Sequence, residues 1–162
     1  MIREERDAGF WNAVATHPDV RDCVFMNHPT MDLAPLVEPP TSLPLAAEHG
    51  GFIFLNKDGL GLVYELHTMF TPAGWGREVA AAAREAFDLL FLRSAQLVFT
   101  LEVETNVRSR PPLSHGWRTA GPFTYAPDLA ANVRTWVLTR EAWDASPVRR
   151  RMCQSLQQSV PA

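Results

Sequence analysis

Apolar residues recur along the chain with helical spacing in some stretches and strand-like spacing in others. The first pattern predicts a helix over residues 7–17 that ends before Pro18, because a proline inside a helix removes a hydrogen bond. Two apolar runs follow at 51–55 and 61–70, and the Asp-Gly pair between them is typical of a hairpin turn. Since the second run is mostly apolar, it predicts a central strand covered on both faces.

The second half of the chain continues this alternation of elements. A long helix is predicted over 77–92, with strands at 97–103 and 133–139 and a terminal helix over 146–160. The residues expected on the buried face of the long helix are Val79, Ala80, Ala83, Phe87, Leu90 and Phe91. A strand, a glycine loop, a helix and a further strand form a right-handed crossover, whose two strands are parallel.

Prolines crowd residues 27–47 and predict an ordered wrap over the domain, with no regular structure beyond a short helical turn. The chain has 162 residues, so we expect one domain over 1–162, with the terminal helix appended to it. Hydrophobic residues make up 46% and charged residues 20%, which is enough apolar material for a core.

Charge and cysteine content exclude several classes of protein. The net charge of −3 argues against nucleic-acid binding, which needs a basic excess. No apolar run approaches the ~20 residues of a membrane span, and the charged beginning does not resemble a signal peptide. Cys23 and Cys153 lack metal-site spacing, so we expect free thiols in the cytoplasm and no metal. The run 149–151 of arginines is interpreted as a solvated helix face, with an acidic or nucleic-acid partner as the alternative.

The strand ending at Phe70, the loop 71–76 and the helix after it carry the clearest chemical signal. Glycines in the loop let backbone amides point into one concavity, and the helix start adds its positive dipole end. An anionic group such as a pyrophosphate would fit there. The alternative is a routine strand-to-helix turn, because two glycines before a helix are common.

The order of elements over about residues 50–145, with Asn106, Gly116-Trp117 and a late strand, resembles the GNAT superfamily of acyl-CoA-dependent N-acyltransferases. The stretch after Asn106 and the late strand look most like the branch that acetylates protein N-termini. The segments 10–20 and 65–70 look like GNAT-like proteins encoded by tailed bacteriophages. The resemblance implies a mixed α/β single-domain fold, with a central mostly antiparallel sheet splayed at one parallel strand pair and helices on both faces.

The resemblance also implies acetyl-CoA as the cofactor and no metal. The residues it places at the cofactor are Met69, Phe70, Gly74, Trp75, Gly76, Arg77 and Asn106. Two positions depart from the family's loop. Ala73 stands where the family has a basic or amide side chain, and Glu78 stands where it has a small residue. A carboxylate beside two phosphates weakens their binding, whereas backbone amides do not depend on side-chain identity.

Acetyl transfer to an amine requires a base, because the nucleophile must lose a proton. Glu65 and His67 are two residues apart on a strand and so share a face, and either could be this base. The alternative is that they satisfy nearby polar groups. In the family a Tyr or Ser on a following helix protonates the leaving thiolate, but here Pro111-Pro112 interrupts that helix. The only hydroxyls in this stretch are those of Ser109, the catalytic candidate, and Ser114, and the only imidazole is that of His115.

Two functions follow. The first is a cytoplasmic N-acetyltransferase, in the host cytoplasm if phage-encoded, acting on an unidentified amine or a peptide N-terminus. The second is a catalytically retired GNAT fold that serves as a structural or assembly component of a tailed-phage virion. Its contacts with neighbouring virion proteins would use the terminal helix and the proline-rich segment.

Overall fold

The computed structural model of the protein describes residues 1–24, 32–106, 108 and 110–158, and for residues 154–158 it describes the backbone alone. Two compact units divide the chain, Met1–Ala95 and Gln96–Ala162. None of the described helices is long and apolar enough to cross a membrane.

The first unit is built on four antiparallel strands, which neighbour one another in chain order. They are β1 (Arg3–Glu4), β2 (Ser42–Ala46), β3 (Gly50–Asn56) and β4 (Val63–Phe70). Its helices are α1 (Ala8–Ala15), α2 (Pro18–Val24), α3 (Ala34–Val37) and α4 (Arg77–Leu92). The predicted hairpin strands and the long helix are therefore confirmed, and a single 3-10 turn at Pro72–Gly74 joins β4 to α4.

The core of the first unit forms because both faces of β3 are apolar. Phe52 and Phe54 contact Phe87 of α4, with ring centroids 6.4 and 6.1 Å apart. Ile53 points to the other side, where it packs in a cluster with the fully buried Trp11 of α1. The indole N–H of Trp11 donates to the carbonyl of Glu5 at 2.8 Å, so its polar atom is satisfied inside the core.

The structure adds one helix to the prediction and corrects the buried face of another. α1 ends before Pro18 as expected, but Pro18 also begins α2, where a first-turn position tolerates its missing N–H. On α4, Ala80 is exposed and the buried stripe runs instead through Ala82 and Ala86 together with Ala83, Phe87, Leu90 and Phe91.

The segment predicted as an irregular wrap contains a buried strand, β2, so that prediction was wrong for residues 42–46. Pro44 is tolerated because its carbonyl accepts a hydrogen bond from the amide of Glu5 at 3.0 Å. The nitrogen that lacks a hydrogen therefore lies on the side of β1, where strand pairing ends at Glu4. The short helical turn of the prediction corresponds to α3, and residues 27–31 of the segment lie outside the described residues.

The second unit is organised around a long strand, β8 (Ala131–Thr139), which pairs antiparallel with three others. These are β5 (Leu97–Val103), β6 (Arg118–Thr119) and β7 (Thr124–Ala126). Two helices follow, α5 (Arg140–Asp144) and α6 (Pro147–Gln158). α6 begins where predicted, because the hydroxyl of Ser146 accepts from the amide of Arg149 at 3.1 Å and caps the first turn. The predicted fold class, mixed α/β with mostly antiparallel pairing, is confirmed.

Candidate active site

Three charged or titratable side chains meet on one face of β4. Glu65 is 17% exposed, and one carboxylate oxygen lies 3.0 Å from Nζ of Lys57, which follows β3. The other oxygen lies 3.4 Å from Nε2 of His67, and the imidazole is 45% exposed. The strand places Glu65 and His67 side by side because residues two apart share a face.

This arrangement assigns different properties to the two base candidates. Hydrogen bonds from His67 and Lys57, opposed by burial, lower the pKa of Glu65 to about 2. A carboxylate with so low a pKa is a poor proton acceptor at neutral pH. Its position suits it instead to orient His67: an imidazole whose Nε2–H points to Glu65 has its lone pair on Nδ1.

The turn between β4 and α4 uses its own carbonyls for its first amides. The amide of Gly74 donates to Thr71 at 2.9 Å, and that of Trp75 donates to Pro72 at 3.3 Å. The indole N–H of Trp75 also crosses the turn and donates to the carbonyl of Phe70 at 2.8 Å. Gly74 and Trp75 therefore shape the turn, and their backbone N–H groups are not available to a ligand.

The donors that remain available lie at the start of α4. In the described part of the chain, no acceptor lies against the backbone amides of Gly76, Arg77, Glu78 and Val79. Gly76 reaches this geometry with φ of +81°, and an added Cβ would meet nothing within 4 Å. The Arg77 side chain is exposed beside these amides. Free amides, a helix dipole and a guanidinium suit an anion.

Met69 and Phe70, also predicted at the cofactor, have side chains that belong to the core. They are 3% and 4% exposed, and the Phe70 ring lies 5.3 Å from that of Phe52. Only backbone atoms of these two residues could contact a ligand, and the Phe70 carbonyl already accepts from Trp75.

His49, in the turn before β3, was missed from the sequence. Its amide donates to one carboxylate oxygen of Glu78 at 2.9 Å, and its Nδ1 lies 2.8 Å from the other. Its carbonyl accepts from the amide of Thr71 at 2.9 Å. Burial raises the pKa of Glu78, but the hydrogen bonds from His49 outweigh burial, so the pKa of Glu78 is lowered. In return the hydrogen bond to Glu78 raises the pKa of His49. The sequence did contain one signal for such a partner. Glu78 stands where the family has a small residue, and a carboxylate beside an anion site needs a positive group next to it.

Asn106, the predicted cofactor residue of the second unit, closes the turn after β5. Its amide donates to Val103 at 2.9 Å, and its side-chain carbonyl accepts from the amide of Arg108 at 3.1 Å. Ser109 lies outside the described residues. The nearby His115 is buried and stacks on Trp143, with centroids 5.8 Å apart and planes 12° apart, so its position is that of a core residue.

A buried carboxylate forms the polar centre of the second unit. One oxygen of Glu102 accepts from Trp136 Nε1 at 2.6 Å and from Arg134 Nε and Nη2 at 3.0 and 2.7 Å. The Arg134 guanidinium also lies 4.4 Å from the ring centroid of Phe123. Sequence patterning placed Glu102, Arg134 and Trp136 on strands but could not show that they form one cluster. Among the described residues, no group of three or more His, Cys, Asp or Glu could hold a metal ion.

The chain is similar to proteins of known structure in its fold. No protein-family model and no curated protein sequence matches the chain. Solved structures do match. A probable GNAT acetyltransferase from Chromobacterium violaceum shares 15% identity over 89% of each chain, with a TM-score of 0.68. A spermidine N-acetyltransferase from Vibrio cholerae, solved with CoA and spermine, shares 11% identity over 88% of this chain and 96% of that one, with a TM-score of 0.66.

A GNAT acetyltransferase from Bacillus anthracis gives 16% identity over 86% of this chain and 94% of that one, with a TM-score of 0.65. At these identities the similarity concerns the fold alone, and it extends over most of the chain. The chain therefore has the fold of the GNAT acetyltransferases.

Proposed function

We propose that this protein is an acyl-CoA-dependent N-acetyltransferase that acts on an amine. The observation that carries the proposal is that the amides from Gly76 to Val79 have no acceptor among the described residues, at the turn after β4 of a GNAT fold. Those amides and Arg77 would bind the CoA pyrophosphate. Acetyl-CoA supplies the acetyl group as a thioester, and Asn106 is a further proposed cofactor contact.

His67 is the proposed base, and Glu65 is the proposed positioning residue. A neutral His67 with Nε2–H directed to Glu65 accepts the proton of the attacking amine at Nδ1. The imidazolium that forms lies beside an ionised carboxylate, which stabilises it. Ser109 stays the proposed donor to the leaving thiolate, on the resemblance alone.

The acceptor is proposed at the level of its amine. The solved spermidine acetyltransferase supports a trial of polyamines, and the sequence resemblance to N-terminal acetyltransferases supports a trial of peptides with a free N-terminus. A phage origin likewise rests on the sequence resemblance.

The test combines binding with transfer. With acetyl-CoA at 100 times its Kd, binding stabilises the folded state by about 2.7 kcal/mol, a rise in Tm of about 5–10 °C for a chain of this size. Acetyl transfer to polyamines and peptides would then be measured by thiol release. We expect His67→Gln to retain the thermal shift and to lose transfer by about 100-fold or more.

The matched control is His17→Gln, which changes another partly exposed histidine beside a carboxylate, 3.7 Å from Asp19. It should retain both binding and transfer. The absence of any thermal shift at millimolar acetyl-CoA would contradict the enzyme proposal.

The alternative proposal is a retired fold in a tailed-phage particle. It is favoured by one observation, the closure of the Gly74 and Trp75 amides by carbonyls of their own turn, which leaves fewer donors for a cofactor. Mass spectrometry of purified particles should then find the chain at a fixed copy number, and its absence from them would exclude this role.

A further inference from the structure

We propose that His49 is a positioning residue for the anion site at the start of α4, where it neutralises Glu78 and holds the loop in place. This inference rests on the proposed function, because the anion it serves is the CoA pyrophosphate. It concerns a residue outside the catalytic pair and outside the loop itself.

The contacts of His49 reach both sides of the anion site. The His49 carbonyl accepts from the Thr71 amide at 2.9 Å and lies 3.3 Å from the Thr71 hydroxyl. Its amide and its Nδ1 both engage the Glu78 carboxylate, at 2.9 and 2.8 Å. One residue therefore connects the first residue of the loop to the first turn of the helix that ends it.

Packing makes this connection specific. A Cβ added at Gly74 would lie 2.9 Å from Phe70 Cδ1, 3.0 Å from His49 Cβ and 3.3 Å from a Glu78 oxygen. There is thus no room for a larger residue at position 74 while His49 and Glu78 stay together. The contact between His49 and Glu78 therefore depends on a glycine at position 74.

The charge of Glu78 opposes the binding of an anion at the start of α4. This carboxylate lies on the second residue of α4, where its own backbone amide is one of the available donors. A bare carboxylate there competes with a phosphate for the same positive end of the helix. When His49 is protonated, the pair is neutral, and the helix start and Arg77 act on the anion without opposition.

The direction of the pH dependence follows. The groups acting on His49 are the Glu78 carboxylate, which accepts its hydrogen bond, and the exposed Glu48 of its own turn. The neighbouring Thr71, Phe70 and Gly74 do not titrate. Both carboxylates raise the pKa of His49 above 6.5, although burial opposes them. Affinity for the pyrophosphate should therefore be highest below that pKa and should fall as the pH rises through it.

The experiment measures the Kd of dephospho-CoA by calorimetry from about pH 5.5 to pH 8. This ligand carries the pyrophosphate diester but not the titratable 3′-phosphate. We expect the wild-type Kd to weaken by about two- to fivefold across the range, as one charge near a helix terminus would produce. His49→Gln should show the weak, high-pH Kd throughout. Glu78→Gln should bind tightly at every pH, because it lacks the opposing carboxylate. His49→Lys should also bind tightly at the upper end of the range, because lysine stays charged where histidine does not.

Two control variants identify the titrating group. His17→Gln and His67→Gln should both retain the wild-type pH profile. In turnover assays His49→Gln should raise the KM for acetyl-CoA and leave kcat unchanged. A merely destabilised protein would instead have a smaller folded fraction, which lowers the apparent kcat and leaves KM unchanged.

Three outcomes would overturn the inference. They are a pH-independent Kd in the wild-type protein, an unchanged profile in His49→Gln, and weaker binding by Glu78→Gln than by the wild type. In each of these cases CoA binding survives, so the proposed function stands. Absence of dephospho-CoA binding by the wild type at every pH would instead remove the proposed function and this inference with it.

Discussion

Lys57 and Glu65 form an ion pair across the β3–β4 hairpin, with Nζ 3.0 Å from the carboxylate, and His67 approaches the opposite oxygen of that carboxylate. Forming this pair orders less of the chain than forming a pair between two free loops, because β4 already fixes the backbone of Glu65. The carboxylate is also largely shielded from solvent. The consequences for stability and for chemistry can be tested separately.

Stability should depend on the ionisation of Glu65. Its pKa is about 2 in the folded chain and 4.5 in a free side chain, so its contribution is complete above about pH 4.5 and is lost as the pH falls through about 2. Allowing for solvent screening, we expect Glu65→Gln to lower the free energy of unfolding by about 2 kcal/mol at pH 7. Urea unfolding of the wild type and of Glu65→Gln at pH 7 and pH 3 measures this difference in unfolding free energy. A difference that is not smaller at pH 3 would contradict the dependence on Glu65 ionisation.

The Glu102 cluster predicts a strong asymmetry between single and double substitutions. Arg134→Met leaves a buried carboxylate with Trp136 as its remaining hydrogen-bond donor, so we expect a loss of about 3 kcal/mol in chemical unfolding. Replacing Glu102 by Met as well removes the uncompensated charge and should recover most of that loss. A double variant less stable than Arg134→Met would show that the pair stabilises the unit by itself.

Gly116 predicts a backbone effect that no side-chain contact would reveal. It has φ of +94°, and an added Cβ would lie 2.6 Å from the carbonyl oxygen of Ala142 in α5. Gly116→Ala should therefore cost about 2 kcal/mol or more, measured as the midpoint of denaturant unfolding. The matched control is Gly121→Ala, where a Cβ meets nothing within 4 Å, and its stability should change by less than about 0.5 kcal/mol.

Trp75→Phe tests the indole bond across the loop before α4. The substitution keeps an aromatic ring but removes the donor to the Phe70 carbonyl, which should cost about 1 kcal/mol in unfolding free energy. Hydrogen exchange at the Gly74 amide should become faster while exchange within β4 stays unchanged. Equal acceleration in β4 would mean that the bond stabilises the whole unit and not the loop.

Local patterning predicted the fold wherever one face of an element is apolar throughout. The strands β3 and β5 and the helix α4 satisfy this condition, and β4 does so apart from Thr68; each was predicted within two residues at either end. It failed at β2, because Pro44 lowers strand propensity and only the position of β1 shows why the missing N–H is harmless. Ala80 and Ala82 could not be distinguished by size, since the stripe's position on α4 is set by its partners.

The site was predictable to the extent that it depends on residue spacing. The proximity of Glu65 and His67 follows from strand geometry and is confirmed. The contacts of Glu78 with His49 join residues 29 apart, and no periodicity connects them. Residue types also do not show which loop amides donate to carbonyls of the turn and which stay available to a ligand. That depends on the path of the turn at Pro72–Gly74.

The tip of the β3–β4 hairpin has a consequence for the order of folding. One oxygen of Asp58 accepts from the amides of Leu60, Gly61 and Leu62 at 3.1 to 3.3 Å, and all of these partners lie within four residues. Closing so short a segment costs little chain entropy, whereas pairing β1 with β2 must first close a long loop. Contacts of short sequence separation cost less chain entropy to form, so we expect this hairpin to form before β1 pairs with β2.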